Sequence, residues 1–404
     1  MGQAVVPREG LRVLRQALFG TDIDTMDQDA AFEKRFSEHP SFWLMSGAVV
    51  VFLHYYFYEI IRAISCDALG YAWLLWSAVM ICSCVAARRT AEINDRRLLR
   101  WIDRVGGVWA LFIFIAFLTH LVFGTIGYVM GGAFSDRALL VISFMAAALI
   151  VMLGIRQANM IETVRMDVPT DKLGDGTLRV VQLTDLHLGP WTGKMLLEQV
   201  VDKINAAKPD IVVVTGDLAD GRLSGRERET DALKKISAPL GVFAVTGNHD
   251  YYDGLRDSLT FMEAAGMKVL HTEAVEVGGI IIAGADDRDH LIKQEWNLTR
   301  SETLVLSLER AQREKFLLLL RHRPIVELGT QGHFDLQLSG HTHGGQLFPY
   351  FTSRHILVGH DRGLKKLKCG GYLYVSNGAG YVGPPVRLLA PPEITVFDIG
   401  RNDP

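Results

Sequence analysis

Residues 178–187 read LRVVQLTDLH, a short apolar run that ends in an aspartate and a histidine. Six further runs of this kind follow, and each also ends in polar residues: DIVVVTGDL (210–218), GVFAVTGNHD (241–250), GIIIAGADD (279–287), KFLLLLRHRP (315–324), DLQLSGHTHGG (335–345) and GYLYVSNGAG (371–380). Apolar runs of four or five residues suit strands that are buried on both faces. Helical patterns at 194–206 and 229–236 separate the first runs. The pattern predicts an α/β domain over 178–404, with two layers of sheet covered by helices.

The polar residues at the ends of these runs form an ordered set: D-x-H, G-D, G-N-H, H and G-H-T-H. Each motif alone is weak, because a single aspartate after a strand can simply cap a helix. His341 and His343 are a stronger pair, since alternate residues of an extended segment project to the same side. In open α/β folds the ligand site lies beyond the carboxyl ends of the strands. The set therefore predicts one site there.

The chemistry of this set points to metal ions. Two divalent ions about 3.5–4 Å apart need a bridging anion, and a carboxylate is the natural bridge. Neutral imidazoles with carboxamide or carboxylate oxygens suit Mn, Fe, Zn or Co better than Ca. We therefore expect two divalent metal ions, with manganese first among them.

In the order D-x-H, G-D, G-N-H-D, H and G-H-T-H-G-G-Q, the motifs resemble those of the calcineurin-like metallophosphoesterases. The similarity covers about residues 181–399. Within that family it is closest to a membrane-associated bacterial branch, which includes the UDP-2,3-diacylglucosamine pyrophosphatases of the calcineurin-like type. The resemblance implies a two-sheet α/β sandwich that hydrolyses a phosphate ester or anhydride.

The resemblance also implies a role for each matching position. It implies seven metal ligands: Asp185, His187 and His343 at the first ion, Asp217 between the ions, and Asn248, His322 and His341 at the second. His249 would bind no metal, and would instead donate a proton to the leaving oxygen or stabilise charge on the phosphoryl group. A bridging hydroxide, formed from a water that both ions make acidic, would attack phosphorus in line.

Four more residues near these motifs are candidates for orienting the acid histidine or for binding substrate phosphate. Asp250 either orients the histidine before it as a hydrogen-bond acceptor or only ends the turn. Arg321 and Arg323 stand where relatives often carry smaller polar or acidic residues. These two arginines either contact substrate phosphate or lie in solvent at a strand end. Arg288, after the GADD turn, is a further candidate for phosphate contact.

The chain before residue 156 is of another kind. Apolar runs at 42–64, 68–87, 108–130 and 138–155 are each near the roughly 20 residues that a helix needs to cross a bilayer. Helices satisfy their own backbone polar groups in lipid, so they are the expected structure. The sequence predicts a lead-in over 1–41, a four-helix transmembrane bundle over 42–155 and a linker over 156–177.

Charge predicts the orientation of these spans. The lead-in has five Lys/Arg residues and the 88–104 loop has six, whereas the other two loops offer only Arg62 and Arg137. By the positive-inside rule, both termini and the catalytic domain face the cytoplasm. The net charge of −3 provides no overall basic field for nucleic acid.

Three polar residues fall at membrane depth: His54, Glu59 and His120. Such groups either line a groove for a lipid headgroup or make hydrogen bonds between helices and near helix ends. The sequence leaves both interpretations open.

Four spans exceed what tethering alone requires, because a single helix holds a domain at a membrane. We therefore expect a lipid-linked phosphorylated substrate, and specifically the pyrophosphate of a nucleotide-linked glycolipid such as a UDP-acylglucosamine. The alternatives are a general phosphodiesterase or phosphomonoesterase of soluble substrates, and a non-catalytic membrane scaffold or sensor. The last would be marked by lost ligands, and every expected ligand is present.

Overall fold

The computed structural model describes residues 40–91, 97–132, 134–189, 192, 194–220, 225–252, 254–287, 300–308, 310–327, 330–346, 362–368 and 370–401. The chain divides into two compact units. One is built mainly from Ala158–Tyr381 and Leu389–Pro404, and the other from Phe32–Gln157 and Val382–Leu388.

In its described residues, the second unit contains four helices: α1 (Pro40–Ile64), α2 (Asp67–Ala91), α3 (Arg97–Val129) and α4 (Asp136–Ala158). Helices α1, α3 and α4 are long and apolar enough to cross a membrane. The apolar part of α2 that the structure describes, Asp67–Ser83, is shorter. The predicted four spans are therefore supported by three helices and not by a clear fourth.

The polar residues at membrane depth are bonded within this unit. His54 is buried, and its Nδ1 donates to the Val50 carbonyl at 2.8 Å. Its Nε2 then accepts from Trp109 Nε1 at 3.0 Å, which links α1 to α3. His120 Nδ1 lies 3.4 Å from Ser143 Oγ and links α3 to α4. These contacts match the interpretation of hydrogen bonds between helices.

Glu59 has a different environment, because it lies at an exposed position and pairs with Arg62 one turn later at 3.1 Å.

The first unit holds two six-stranded sheets. The strand order of one is β1 (Glu162–Pro169), β12 (Glu393–Gly400), β2 (Thr177–Leu183), β3 (Ile211–Thr215), β4 (Val242–Val245) and β5 (Lys268–Val269). The order of the other is β10 (Gly363–Lys366), β11 (Tyr372–Val375), β9 (Leu336–Ser339), β8 (Phe316–Arg321), β7 (Ile280–Ala285) and β6 (Glu273–Val277). Strands such as β3 and β8 are buried at every residue, as their continuous apolar runs predict.

The core has layers that follow from this arrangement. Apolar side chains from both sheets form one cluster between the sheets. The outer face of the first sheet is covered by helices that include α5 (Lys194–Ala206), α6 (Glu227–Leu233) and, after a short α7 (Asn248–Tyr252), α8 (Leu255–Ala264). The outer face of the second sheet is covered by α9 (Arg300–Ser307), which a single turn, α10 (Arg310–Arg313), follows. The expected two-sheet α/β sandwich is present.

The range predicted as a linker, 156–177, contains structure. Helix α4 continues to Ala158, and strand β1 follows at Glu162–Pro169. Strand β1 pairs in parallel with β12, with Glu162 opposite Glu393. This edge strand is mostly exposed, so it lacks the apolar run that revealed the others.

We predict that His54→Leu lowers the stability of the helical unit by about 1 kcal/mol, because it removes a hydrogen bond between helices. Thermal unfolding of the full chain in detergent measures this. Glu59→Gln is the comparison variant, because it changes a polar residue of the same helix and leaves both His54 hydrogen bonds in place. A His54→Leu protein that unfolds like the parent but loses phosphoesterase activity would instead favour the headgroup groove.

Candidate functional site

The strand ends bring the polar motifs to one edge of the sandwich. Strands β2, β3 and β4 are parallel neighbours in one sheet, and β7, β8 and β9 are parallel neighbours in the other. Parallel neighbours end at the same edge, so the residues after them lie close together. The seven expected ligands follow these strands: Asp185 and His187 after β2, Asp217 after β3, Asn248 after β4, His322 after β8, and His341 and His343 after β9.

The first cluster consists of Asp185, His187 and His343, and one ligand atom from each lies within 4.8 Å of the others. The two histidine Nε2 atoms are 3.1 Å apart, and His343 Nε2 is 3.4 Å from Asp185 Oδ1. All three residues are buried. These atoms come from two segments, the one after β2 and the one after β9, and lie close enough to hold one ion.

The second cluster consists of Asp217, His322 and His341, joined by Asn248. His322 Nε2 lies 3.1 Å from Asp217 Oδ2, 3.2 Å from Asn248 Oδ1 and 3.2 Å from His341 Nδ1. His322 Nδ1 donates to the Thr215 carbonyl at 2.8 Å, so Nε2 is the nitrogen that faces the cluster.

Asp217 connects the two clusters. Its Oδ2 is 3.1 Å from His322 Nε2 and 3.8 Å from His187 Nε2. The position is that of a bridging carboxylate. The lone pairs of imidazole, carboxylate and carboxamide groups face one another here, and a shared cation relieves that repulsion. The residues fit a pair of divalent transition-metal ions.

The pKa values of Asp217 and His322 are shifted by the charged groups close to them. Burial alone would raise the pKa of Asp217, but the neighbouring imidazoles of His322 and His249 outweigh it and hold the pKa well below its ordinary value. Burial would lower the pKa of His322, but Asp217 and Asp185 outweigh it and raise the pKa to about 9. Protons on these imidazoles occupy the electrostatic role that cations take, so metal binding here must release protons.

The backbone at the ligands is strained. Five of them have left-handed φ angles: 52° at Asp185, 48° at His187, 50° at Asp217, 73° at His341 and 51° at His343. Each such residue costs about 1–3 kcal/mol, and strain of this kind concentrates at functional sites. Gly340 and Gly247 allow the close approach, because a Cβ on either would overlap the carboxylate of Asp185 or Asp217.

Asp220 is a site residue that the sequence reasoning missed. Its Oδ1 is 2.7 Å from His249 Nδ1 and 3.0 Å from His187 Nδ1. A bridge between Leu188 and Ala219 extends the pairing beyond β2 and β3, and so carries Asp220 to the same edge. The available signal was an acid three residues after Asp217, in G-D-L-A-D.

His249 is partly exposed, with 27% of its side chain accessible. Burial would lower its pKa, but the carboxylates of Asp220 and Asp217 outweigh burial and raise the pKa. A histidine with a raised pKa and a partly exposed ring is suited to act as a general acid.

Asp250 does not take the place expected for an orienting acceptor. Its Oδ2 accepts from the backbone N–H groups of Asp217 at 3.0 Å and Gly247 at 2.8 Å. Burial and the negative charge of Asp217 raise its pKa to about 7. Asp250 thus holds the backbone of the bridging ligand, and Asp220 is the acid that contacts His249.

Two of the three arginines expected as substrate contacts form ion pairs with acids. Arg321 has 1% of its surface exposed and forms an ion pair with Glu327. Arg323 Nε donates to the buried Asp287 at 2.8 Å. This burial does not match the placement of Arg321 in solvent, and its contact with substrate phosphate stays a prediction. The charge of Arg323 is shared with an acid, and Arg288 lies outside the described residues.

Comparisons with known proteins agree with this geometry. The model of the calcineurin-like phosphoesterase family matches residues 178–345. An uncharacterized metallophosphoesterase of Aquifex aeolicus is 40% identical over 235 residues, which are 57% of this chain and 89% of that protein. An uncharacterized metallophosphoesterase of Helicobacter pylori is 34% identical over 226 residues, or 55% of this chain and 60% of that protein.

A third relative is a zebrafish (Danio rerio) protein named "Transmembrane protein with metallophosphoesterase domain". It is 31% identical over 284 residues, which are 66% of this chain and 63% of that protein. The match to the Helicobacter and zebrafish proteins thus spans less than two thirds of their lengths. With a 40% identical relative covered over 89% of its length, this chain belongs to the calcineurin-like metallophosphoesterases.

Proposed function

We propose that this protein is a membrane-anchored hydrolase of phosphate esters or anhydrides that uses two divalent metal ions. Membership of the family implies a phosphoester hydrolase. The observation that carries the proposal is the pair of ligand clusters joined by Asp217. Backbone strain at the ligands costs stability and is typical of functional sites. A non-catalytic scaffold would gain nothing from that strain.

Two divalent ions bound there would supply Lewis acidity toward a phosphoryl group and would lower the pKa of a water molecule. Asp185, His187 and His343 would hold one ion, while Asn248, His322 and His341 would hold the other, with Asp217 shared. Manganese is our first candidate, and iron, zinc or cobalt also suit these donors.

The chain's own acid–base group is His249. Its Nδ1 faces Asp220 at 2.7 Å, so its Nε2 is the atom that delivers a proton to the leaving oxygen. Asp220 keeps the ring oriented and raises the pKa that holds the proton in place. The same carboxylate contacts His187 Nδ1, so it couples the acid to a metal ligand.

A lipid-linked substrate is our proposal for the substrate class, with a UDP-acylglucosamine pyrophosphate as the specific candidate. Its support is the presence of three apolar helices long enough to span a bilayer, and the name of the zebrafish relative. The alternative is a soluble phosphomonoester or phosphodiester. The excess of Lys/Arg in the lead-in and in residues 88–104, which include the end of α2 and the start of α3, favours a multi-pass protein with its catalytic domain in the cytoplasm. A protease that digests this domain from outside intact cells would refute that orientation.

We predict that Asp217→Asn lowers hydrolysis of an aryl phosphate by at least about 10³-fold and reduces bound manganese, because it removes the shared ligand. Steady-state kinetics and elemental analysis of the same sample measure both effects. Asp398→Asn is the matched control, since Asp398 is a carboxylate in a peripheral ion pair with Arg179. Normal rate and metal content in Asp217→Asn would show that the ligand assignment is wrong.

We predict that Asp220→Asn moves the alkaline limb of the kcat/KM profile to lower pH. The Asp220 carboxylate raises the pKa of His249, so its removal makes the histidine lose its proton at a lower pH. His249→Ala should retain metal and lose about 10²–10⁴-fold in rate. The general-acid assignment would be contradicted if the alkaline limb of the kcat/KM profile stayed at the same pH in Asp220→Asn. Loss of metal in His249→Ala would also contradict it.

We predict that cells carrying Asp217→Asn accumulate one phosphorylated lipid relative to cells with the parent protein. Lipid extraction with mass spectrometry measures this. Accumulation of a water-soluble phosphate ester with an unchanged lipid profile would favour the soluble-substrate alternative.

A further inference from the structure

Glu393 is a buried acid at the start of β12, with 5% of its surface exposed. Its Oε1 accepts from Tyr374 Oη at 2.7 Å, from Ser376 Oγ at 3.0 Å and from the backbone N–H of Asn377 at 3.2 Å. Its Oε2 accepts from Asn377 Nδ2 at 2.9 Å. Both oxygens are therefore bonded to β11 or to the turn that follows it.

The described partners of this buried carboxylate are hydrogen-bond donors and not cations. Within the described parts of the chain, no Lys, Arg or His lies at ion-pair distance from Glu393. Burial and the negative charge of Glu393 raise the pKa of Tyr374 far above its ordinary value, so the hydroxyl stays protonated and donates. A buried charge is costly unless it is hydrogen-bonded. Strand β12 pairs with β1 and β2 through backbone atoms. The pairing itself therefore does not require a carboxylate at position 393.

The turn that Glu393 holds lies against the first metal ligand. A Cβ on Gly378 would be 2.7 Å from Asp185 Cβ, and the φ angle of Gly378 is +77°. The N–H of Ala379 donates to the Thr184 carbonyl at 2.9 Å, and the N–H of Gly380 donates to the Asp185 carbonyl at 2.8 Å. These two hydrogen bonds hold the backbone at Thr184 and Asp185 against the segment that follows β11.

The same turn lies against the segment that carries His343. The N–H of Ser376 donates to the Ser339 carbonyl at 2.9 Å, at the end of β9. The Asn377 carboxamide lies directly on Gly344, since a Cβ on that glycine would overlap Asn377 Oδ1. One turn therefore touches both segments that supply Asp185 and His343.

We propose that Glu393 is a positioning residue for the first metal site, and that it acts through the Ser376–Gly378 turn to set the separation of Asp185 and His343. The proposal rests on the proposed function, because it assumes that the two clusters bind divalent cations. The second cluster depends less on this turn. Three of its four ligands, Asp217, Asn248 and His322, follow β3, β4 and β8.

The test is manganese binding by the full-length protein in detergent. Glu393→Gln keeps the shape of the side chain but places an N–H group against donors. We expect about 10–100-fold weaker binding of one ion, with little change in the other, as for other residues that orient metal ligands. Calorimetric titration measures the affinities. Electron paramagnetic resonance should change from the signal of a coupled pair of ions to that of an isolated ion.

Two further variants complete the test. Tyr374→Phe removes one donor to Glu393 and should weaken the same ion by a smaller factor, which decides the question even if Glu393→Gln fails to fold. Asp398→Asn, another carboxylate change on β12, should bind both ions like the parent. Thermal unfolding of the metal-free proteins separates a loss of stability from a loss of affinity.

The outcomes distinguish this inference from the proposed function. If the parent binds two ions and both Glu393→Gln and Tyr374→Phe bind them equally well, the positioning role is refuted and the two-metal phosphoesterase stands. Equal weakening of both ions in these variants would also refute it. A parent protein that binds no manganese, iron, zinc or cobalt would overturn both.

Discussion

The structure of the catalytic unit depends on one electrostatic constraint, which is the convergence of groups that repel one another unless cations lie between them. The Nε2 atoms of His187 and His343 are 3.1 Å apart, and Asp217 reaches toward both clusters. Other features serve this convergence. Parallel strands from two sheets end at one edge, five ligands take left-handed backbone angles, and glycines leave room for the carboxylates.

Around the ligands, three acids help to hold them in place. Asp220 binds the second nitrogens of His187 and His249, while Asp250 accepts from the backbone of Asp217. Glu393 holds the turn behind Asp185 by hydrogen bonds alone. Because hydrogen bonds to buried charges are strong and directional, this outer layer fixes the ligands more firmly than apolar contacts could.

Two groups of polar residues had two interpretations each in the sequence: those in the apolar helices, and the arginines that flank His322. The structure shows partners for both groups. His54 uses both ring nitrogens, to Val50 and to Trp109, so its ring is engaged between helices. Arg321 and Arg323 pair with Glu327 and Asp287. Trp109 and Asp287 are distant along the chain from the residues that they contact, and Glu327 lies in an irregular segment after β8. Local sequence patterns therefore do not predict these contacts.

The amino-acid sequence by itself determined the two sheets, the apolar helices and the seven residues that the two clusters gather, because strand periodicity and strand-end chemistry are local properties. It did not reveal β1, whose mostly exposed residues carry no apolar run, or clearly separate three spans from four. Only the tertiary structure assigned Asp220 to His249, Asp250 to the backbone of Asp217, and Glu393 to the turn behind Asp185. Those assignments depend on distances between segments as far as 208 residues apart, such as Asp185 and Glu393. The physical reason is that a carboxylate can serve any donor within about 3 Å, and only the folded chain decides which donor that is.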